Sequence, residues 1–366
     1  MADIAHDVPI AAEAPPPRST GALGWLKANL FSSLTNTILT LLCIALLVVA
    51  IPPVVRWALI DAIWHAPNGQ ACHGDGACWA FIGEKFRFIL FGFFPVAETW
   101  RPVVVVGIFL LMIVAACDRR MWGRRLGILW LIGLCAVFAL MRGGFAGMGK
   151  VETAMWSGLP LTLILAIVGM LFGFPLGVLL ALGRRSRLPA VRTICIGYIE
   201  LIRGVPLITL LFMASLMLPL FLPAGVTIDK LVRAQVAFIL FAGAYLAEVV
   251  RGGLQAIPRG QIEAADALGL SYFQRTRLIV LPQALAMVIP PLVNTFIGIF
   301  KDTALVIIIS LFDLLTTAET ALTDGAWQGF YVEAYVFIGV IYWSFCFFMS
   351  RYSQLLEREF NRGRRR

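Results

Sequence analysis

Long stretches without charge alternate with short polar segments along the chain. One of them, "ILTLLCIALLVVAI" at residues 38–51, belongs to an apolar run of about 20 residues, the length that a helix needs to cross a bilayer. Helices are the expected spans because lipid offers no partners for backbone polar groups, and these runs lack the alternation of barrel strands. We therefore predict an all-α polytopic membrane protein.

Eight segments have the length and hydropathy of transmembrane helices, although the second and third are short. The predicted spans are 34–55, 102–117, 126–141, 158–183, 204–224, 233–250, 284–308 and 332–350. An even number of crossings places both termini on the same side of the membrane.

Composition and charge support this class and orient the chain. It is 60% hydrophobic and 14% charged, with a mean hydropathy of +0.87, whereas soluble domains are about 45–50% apolar and about 25% charged. If both termini are cytoplasmic, 21 of the 30 lysines and arginines lie in inside segments and eight in outside segments, as the positive-inside rule requires. The formal charge of +9 thus reports topology, and no basic groove indicates a nucleic-acid partner.

The spans and their connections divide the chain into four regions. Acidic residues stand where a secretory signal has basic ones, so residues 1–33 are predicted to be a cytoplasmic tail with a short interfacial helix. Residues 34–157 hold three spans and an external loop at 56–101. Residues 158–350 hold the last five spans, and residues 351–366 form a basic cytoplasmic tail.

Two of the seven cysteines lie in the predicted external loop. Cys72 and Cys78 bracket "HGDGA", and an oxidising compartment would allow a disulfide between them, which is the favoured interpretation. The alternatives are a metal site with His65 and His73, or two free thiols. The other five cysteines lie in or beside spans, where cysteine behaves as a small apolar residue.

The segment "GFAGMGKV" at residues 144–151 nearly matches a phosphate loop. Val151 stands where a serine or threonine hydroxyl would meet Mg²⁺, no strand precedes the segment, and the topology places it outside. The three histidines form no metal-binding helix motif, and the chain shows no catalytic constellation. We therefore predict a protein that is not an enzyme and that binds no nucleotide, metal or other cofactor itself.

A polar stretch between two apolar spans, "EAADALGLSYFQRTRLIVLP" at residues 263–282, predicts a helix, a turn and a second helix. Gly269 suits a left-handed position after the first helix, because glycine has no Cβ to clash. Ser271 with Gln274 is a capping-box pattern for the second helix. A solvated loop would explain the charges, but not the glycine, the small residues and the apolar second helix together.

The first of these helices has the features of a docking surface. The small side chains of Ala264 and Ala265 let another surface approach closely, and Glu263 is free to accept a charged hydrogen bond. The spacing resembles the EAA loop of membrane subunits of binding-protein-dependent ABC importers. The matching residues are Glu263, Ala264, Ala265, Gly269, Ile279, Leu281 and Pro282.

Four further segments are similar to the permeases of polar amino acid importers, of the histidine, glutamate and glutamine type. They are "YIELIRGVP" at 198–206, "AEVVRGGLQAIPRGQ" at 247–261, "LPQALAMVIPPLVN" at 281–294 and "FKDTAL" at 300–305. The resemblance covers 158–350 and implies that the last five spans form a type I ABC importer permease core. The three additional spans resemble the longer permease subunits of the general L-amino acid importer of Gram-negative bacteria, and they favour its M-type subunit.

The resemblance also implies partners and a location in the bacterial inner membrane. In that family the coupling loop, here about 250–282, seats a helix in a groove of the cytoplasmic ATPase. The implied partners are a second related permease subunit, two ATPase subunits that bind ATP and Mg²⁺, and a periplasmic amino-acid-binding protein. The alternative function is a self-contained secondary amino acid carrier or channel, which would leave the coupling loop without a purpose.

Two pairs of charged residues are candidates for a gate. Glu200 and Arg203, like Glu248 and Arg251, are three residues apart, so that each pair is expected on one helix face. The simpler interpretation is an ion pair that fixes helix ends.

Lys301 and Asp302 are candidates for the substrate pathway, near the outer end of the seventh predicted span. A lysine in lipid is costly, so Lys301 is expected to face protein or a cavity. Contact with the amino acid or with the binding protein is the hypothesis to test.

Overall fold

A computed structural model describes residues 21–72, 74–223 and 225–362. Within these ranges the chain is helical, no strand forms, and an isolated bridge joins Gly158 and Asp313. The α-helices are α1 (Ala22–Asn29), α2 (Leu34–Val55), α3 (Trp79–Phe91), α4 (Trp100–Cys117), α5 (Arg124–Arg142), α6 (Gly158–Arg184), α7 (Pro189–Gly204), α8 (Leu207–Phe212), α9 (Lys230–Gln255), α10 (Arg259–Ala267), α11 (Tyr272–Arg275), α12 (Leu281–Met287), α13 (Ile289–Asp302), α14 (Leu314–Ala321) and α15 (Tyr331–Arg362).

Among the described residues, seven helices are long and apolar enough to cross a membrane, or eight if one bent helix pair counts as a single span. The predicted class, all-α with about eight spans, is therefore confirmed. The predicted N-terminal tail up to residue 20 and the last four residues of the basic tail lie outside the described part of the chain.

The described chain forms two compact units, and the first comprises residues 21–63 and 74–77. Ser33 caps α2, because its side chain accepts a hydrogen bond from the backbone N–H of Asn36 at 3.2 Å. α2 runs through two prolines into a π-helical turn, which gives an apolar helical stretch from Leu34 to Ile60. The first predicted span is thus a helix.

The second unit, residues 64–72 and 78–362, is built around the pair α6 and α9. A Cβ on Gly173 would lie 2.6 Å from the Cβ of Ala242, and a Cβ on Gly177 would lie 2.8 Å from that of Leu246. Small residues four apart let membrane helices approach closely. Any side chain at either glycine would push α6 away from α9.

The predicted span 204–224 is corrected by the structure. α7 ends at Gly204, and a second helical stretch of α-, π- and 3-10 turns follows over Leu207–Phe221, bent by 101° from the first. The break coincides with Pro206, which has no N–H to donate and disfavours helix at the residue before it. The span is therefore the second arm of a bent pair, and its first arm lies where a loop was predicted.

One further predicted span is corrected, and the predicted C-terminal tail is helical as far as it is described. The predicted span 284–308 is interrupted at Val288, the N-cap of α13, and the first turn of α13 holds Pro290 and Pro291, which have no N–H for a helical hydrogen bond to α12. α12, α13 and the 3-10 helix Thr303–Ile309 therefore follow one another as separate helices. The predicted tail 351–366 begins as helix, because α15 continues to Arg362 through strong helix formers such as "QLLERE".

Ion pairs and hydrogen bonds join the segments between helices at each of the two ends of the second unit. One group contains the pairs Arg119–Glu359 and Arg184–Glu248, and the other contains the hydrogen-bonded pairs Thr153–Asp229 and Cys78–Glu333. α6 ends in the first group and α9 begins in the second. The bent pair between them therefore connects the two ends, which supports its counting as one crossing.

Candidate coupling site

The polar stretch folds as a helical hairpin, which we call the coupling segment and define as residues 259–282. Pro258 is the N-cap residue of α10, which begins at Arg259. Glu263 and Ala264 are exposed on the outward face of α10, and Leu268 just beyond it is 77% exposed. Glu263 makes no hydrogen bond or ion pair with any described residue, so that its carboxylate is available to a partner.

Ala265 does not belong to this outward face. It is 1% exposed, whereas Ala264 beside it is exposed. A helix turns about 100° per residue, so Ile262 and Ala265 share the face that points back to the chain. The predicted small docking face of Ala264 and Ala265 is therefore wrong for Ala265.

The turn after α10 is a Schellman motif. Gly269 has a φ of +72°; its N–H donates to the carbonyl of Asp266 at 3.0 Å, and the N–H of Leu270 donates to the carbonyl of Ala265 at 3.2 Å. No atom lies within 4 Å of the position that a Cβ on Gly269 would take. Glycine is thus required for its backbone conformation and not for space, as the sequence predicts.

The second half of the hairpin opens with the predicted capping box. Ser271 Oγ accepts from the N–H of Gln274 at 3.3 Å, and Gln274 Oε1 accepts from the N–H of Ser271 at 2.9 Å. α11 then continues through the π-helical turn Thr276–Val280 into α12. Ile279 and Leu281 are half-buried along this path, and Pro282 is exposed.

An ion pair closes the hairpin. The guanidinium of Arg275 contacts the carboxylate of Asp266, and its central carbon lies 5.6 Å from the centre of the Tyr272 ring. The side chain of Arg275 is 17% exposed and that of Asp266 is 54% exposed, so water partly screens the attraction between them. The pair joins α10 to α11 across the turn.

A second cluster, the charge network, joins α6, α7 and α9 through Arg184. Its Nη1 donates to Glu200 Oε1 at 2.9 Å and to Glu248 Oε1 at 2.7 Å. Arg251 completes the network through two bonds from Nε and Nη2 to Glu248 Oε2, at 2.9 and 2.6 Å.

One of the two predicted ion pairs is wrong. Glu248 and Arg251 are paired as expected, but Glu200 takes Arg184 as its partner, and Arg203 approaches Glu248 Oε2 at 3.6 Å. Spacing along one helix could not reveal Arg184, because it arrives from another helix. The side chains of Arg184 and Glu248 are only 22% and 14% exposed, so water screens their attraction less than that of a fully exposed pair. We interpret the network as fixing the mutual position of three helices.

Lys301 and Asp302 occupy the C-terminal end of α13. Asp302 is half-buried, whereas Lys301 is exposed and makes no hydrogen bond or ion pair with described residues. The expectation that Lys301 faces protein or a cavity is therefore not met by this chain alone.

At the opposite end, Cys72 and Cys78 are joined in a disulfide with their Cα atoms 5.9 Å apart. The N–H of Cys78 donates to Glu333 Oε1 at 2.9 Å, which attaches this cysteine loop to the start of α15. The alternative metal site involves His73, which lies outside the described residues. Among the residues that are described, no group of three metal-ligating side chains could hold an ion.

The helix that follows the cysteine loop strengthens the attachment. Phe81 stacks on Phe330 with ring centres 5.8 Å apart and contacts Trp327 at 6.2 Å. Lys85 Nζ lies 2.5 Å from Asp324 Oδ2, and this hydrogen bond holds the pKa of the Asp324 carboxyl below its usual value. α3 is thus packed onto the segment before α15, within the region that was predicted only as an external loop.

The glycine loop 143–151 encloses the side chain of Arg101. This fully buried guanidinium donates to the carbonyls of Leu140 at 2.6 Å, Met141 at 3.2 Å and Gly149 at 2.9 Å. A helix, α5, precedes the loop, whereas a phosphate loop follows a strand. The glycines therefore serve to enclose an arginine that satisfies the free carbonyls at the end of α5.

Asp313 is a buried structural residue that sequence reasoning missed. It accepts hydrogen bonds from the N–H groups of Leu315 and Thr316, and from the hydroxyls of Thr316 and Tyr342. A signal existed, because an aspartate directly before "LLTTAETA" is a helix N-cap pattern.

Comparison with known proteins gives a family for more than half of the chain. Residues 173–362 match the model described as "Binding-protein-dependent transport system inner membrane component". This range starts within α6, ends with α15 and contains the whole coupling segment.

Two relatives extend over nearly the whole chain. The inner membrane amino-acid ABC transporter permease protein YhdY of Escherichia coli is 50% identical, over 95% of this chain and 97% of its own. The glutamate/glutamine/aspartate/asparagine transport system permease protein BztC of Rhodobacter capsulatus is 39% identical, over 96% of both. A crystal structure of an amino acid ABC transporter with histidines covers 55% of this chain and 92% of that chain, at 32% identity and a TM-score of 0.49.

Proposed function

This chain belongs to the family of binding-protein-dependent transport system inner membrane components, and from that membership we propose that it forms the translocation path of an ABC importer for L-amino acids. The observation that carries the coupling role is the coupling segment, whose Schellman turn, capping box and ion pair hold Glu263 and Ala264 outward. The substrate class rests on relatives that are named as amino acid permeases.

Permeases of this family work with an ATPase and with a substrate-binding protein. For this chain we propose two cytoplasmic ATPase subunits that hold ATP and Mg²⁺, and a periplasmic amino-acid-binding protein. The permease itself then needs no nucleotide site, which agrees with the use of the loop 143–151 to enclose Arg101.

A second, related permease subunit is also part of the proposal. The described residues hold one coupling segment and one set of five core spans, with the bent pair counted as one, and alternating access requires two halves that rock around a central path. The exposed Lys301 at the end of α13 is explained if its surface faces that path or the partner subunit. We expect the second subunit to be a distinct chain, so that the pair is a heterodimer.

The proposed orientation places the coupling segment and both termini in the cytoplasm. The charge bias of 21 against eight lysines and arginines supports it. The cysteine loop would then lie in the periplasm, which is oxidising and preserves disulfides.

The mechanism follows from the rigidity of the coupling segment and of the charge network. Closure of the ATPases would displace α10, and the ion pair between Asp266 and Arg275 would carry that displacement to α11 and α12. The network around Arg184 keeps α6, α7 and α9 together, so we expect these helices to move as a body. ATP binding would thereby shift the population between outward-open and inward-open states.

The test is uptake of a panel of labelled L-amino acids by cells that lack only this chain and by cells that carry it. We expect the chain to restore uptake, to copurify with an ATPase, and to lose uptake when ATP is depleted while the proton gradient is held. Uptake that survives ATP depletion would instead support the secondary carrier.

A further inference from the structure

A cleft with a basic floor and an apolar wall lies behind the coupling segment. Its volume is about 700 Å³, and it separates the turn between α6 and α7 from α10 and α11. A neighbouring cavity of about 500 Å³ shares Arg185 with it. We call the two together the arginine cleft, and ligand sites commonly have such volumes, about 300–1,000 Å³.

Positive charge exceeds negative charge in this cleft. Its arginines are Arg184, Arg185, Arg187, Arg192, Arg251 and Arg275. The carboxylates that line the cleft or pair with these arginines are Glu200, Glu248 and Asp266. Arg187 lines the larger cavity and Arg192 the smaller one; both are exposed and make no hydrogen bond or ion pair with described residues. Each cavity therefore offers one guanidinium to an anion, and this group binds phosphate particularly well.

The wall of the larger cavity is apolar. Its apolar side chains are Leu182, Leu188, Val191, Leu254, Ile262 and Val280. The adjoining helix α7 also exposes apolar residues, including Ile194 at 71% and Leu201 at 67%. Since α7 carries exposed Arg192 among these apolar groups, it has the character of a helix that lies in a membrane interface. A free phosphate would use the arginines but would leave the apolar wall without a function.

We propose that the arginine cleft binds the headgroup and the first acyl carbons of an anionic phospholipid. The ATPase is a poor alternative occupant, because its proposed docking residues Glu263 and Ala264 face outward, while Ile262, which shares the inner face of α10 with the buried Ala265, lines the cleft. The proposed orientation supplies the leaflet, since the cytoplasmic leaflet is the anionic one. The bound lipid links the α6–α7 turn to the coupling segment, and the anionic lipid content of the membrane thereby regulates coupling.

The test measures retention of phosphatidylglycerol by the purified complete transporter, by native mass spectrometry, with phosphatidylcholine as competitor. We expect Arg187→Gln to weaken retention about fivefold, the effect of one interfacial arginine. Its matched control is Arg125→Gln, which removes the same charge from an exposed residue of α5 on the same predicted side. That variant should retain phosphatidylglycerol like the unchanged protein.

A filling variant, Val191→Trp, tests the apolar wall without a change of charge. We expect it to weaken lipid retention as well, and a photoreactive phosphatidylglycerol should label the 182–191 segment. Equal losses for Arg187→Gln and Arg125→Gln would show diffuse surface attraction and overturn the proposal. Displacement of the lipid by millimolar inorganic phosphate, or unchanged retention in Val191→Trp, would also overturn it, and would point to a free anion. None of these readouts depends on transport, so they remain decisive if the proposed function fails.

Discussion

Replacing Gly269 by alanine isolates the backbone requirement of the coupling segment. The residue has a φ of +72°, and an added Cβ would meet no atom within 4 Å. The cost is therefore conformational, about 1–2 kcal/mol for a left-handed residue with a Cβ. Such a free energy lowers the ratio of formed to unformed hairpin by about 5–30-fold.

The expected consequence is weaker coupling in a protein that inserts normally. If the ATPase binds only the formed hairpin, its apparent affinity falls with the formed fraction. We would measure the ATPase bound per inserted permease, together with ATP-driven uptake in proteoliposomes. Insertion should not change, because the α6–α9 glycine contacts lie in another part of the unit.

Two variants make the measurement specific to backbone conformation. Gly260→Ala adds the same methyl group to α10, also with nothing within 4 Å, but at an ordinary helical φ. It should couple at least as well as the unchanged protein, since alanine favours helix over glycine. Gly269→Asn should retain most activity, because asparagine visits the left-handed region more readily. If Gly260→Ala and Gly269→Ala were equally impaired, or if Gly269→Asn were the worst, the reasoning would be refuted.

Three further predictions concern packing and the external end. Gly173→Val should lower the melting temperature of the purified protein by overpacking against Ala242, at about 1–3 kcal/mol, whereas Gly107→Val, with open space around it, should not. Asp324→Asn should lower stability at neutral pH, and its difference from the unchanged protein should vanish as pH falls through the depressed pKa of Asp324, below the ordinary value of about 3.9, because Lys85 then loses its charged partner. Thiol labelling of intact cells should reach the cysteine loop only after a reductant is added.

Most of the correct predictions for the coupling segment depend on residues that are close together in the sequence. The left-handed Gly269 and the capping box of Ser271 depend on residues within a few positions of each other, so their chemistry is legible in the sequence. The burial of Ala265 is predictable from the sequence, because helical periodicity puts it on the same face as Ile262. The prediction treats Ala264 and Ala265 as one small surface and therefore does not separate their two faces.

Long-range contacts account for what the sequence could not predict. Arg184 lies 64 positions from Glu248, and Arg101 lies 39 positions from Leu140. No spacing rule connects such pairs, because the tertiary fold alone brings them together. The broken spans lie between these two cases. Pro206 is a local signal for a helix break, but the continuous hydropathy of the segment predicts one unbroken helix.

The two ends of the second unit differ in how firmly their segments are attached. At the end that the proposed orientation places outside, the bond from Cys78 to Glu333 and the Lys85–Asp324 pair attach α3 to the segment around the start of α15. At the coupling end, Glu263 and Ala264 stay exposed, and the arginine cleft leaves space behind α10. A body that is braced at one end and free at the other rotates when force acts on the free end. We therefore expect the external contacts to act as the fulcrum, so that loosening them should reduce transport per ATP hydrolysed more than it reduces ATPase binding.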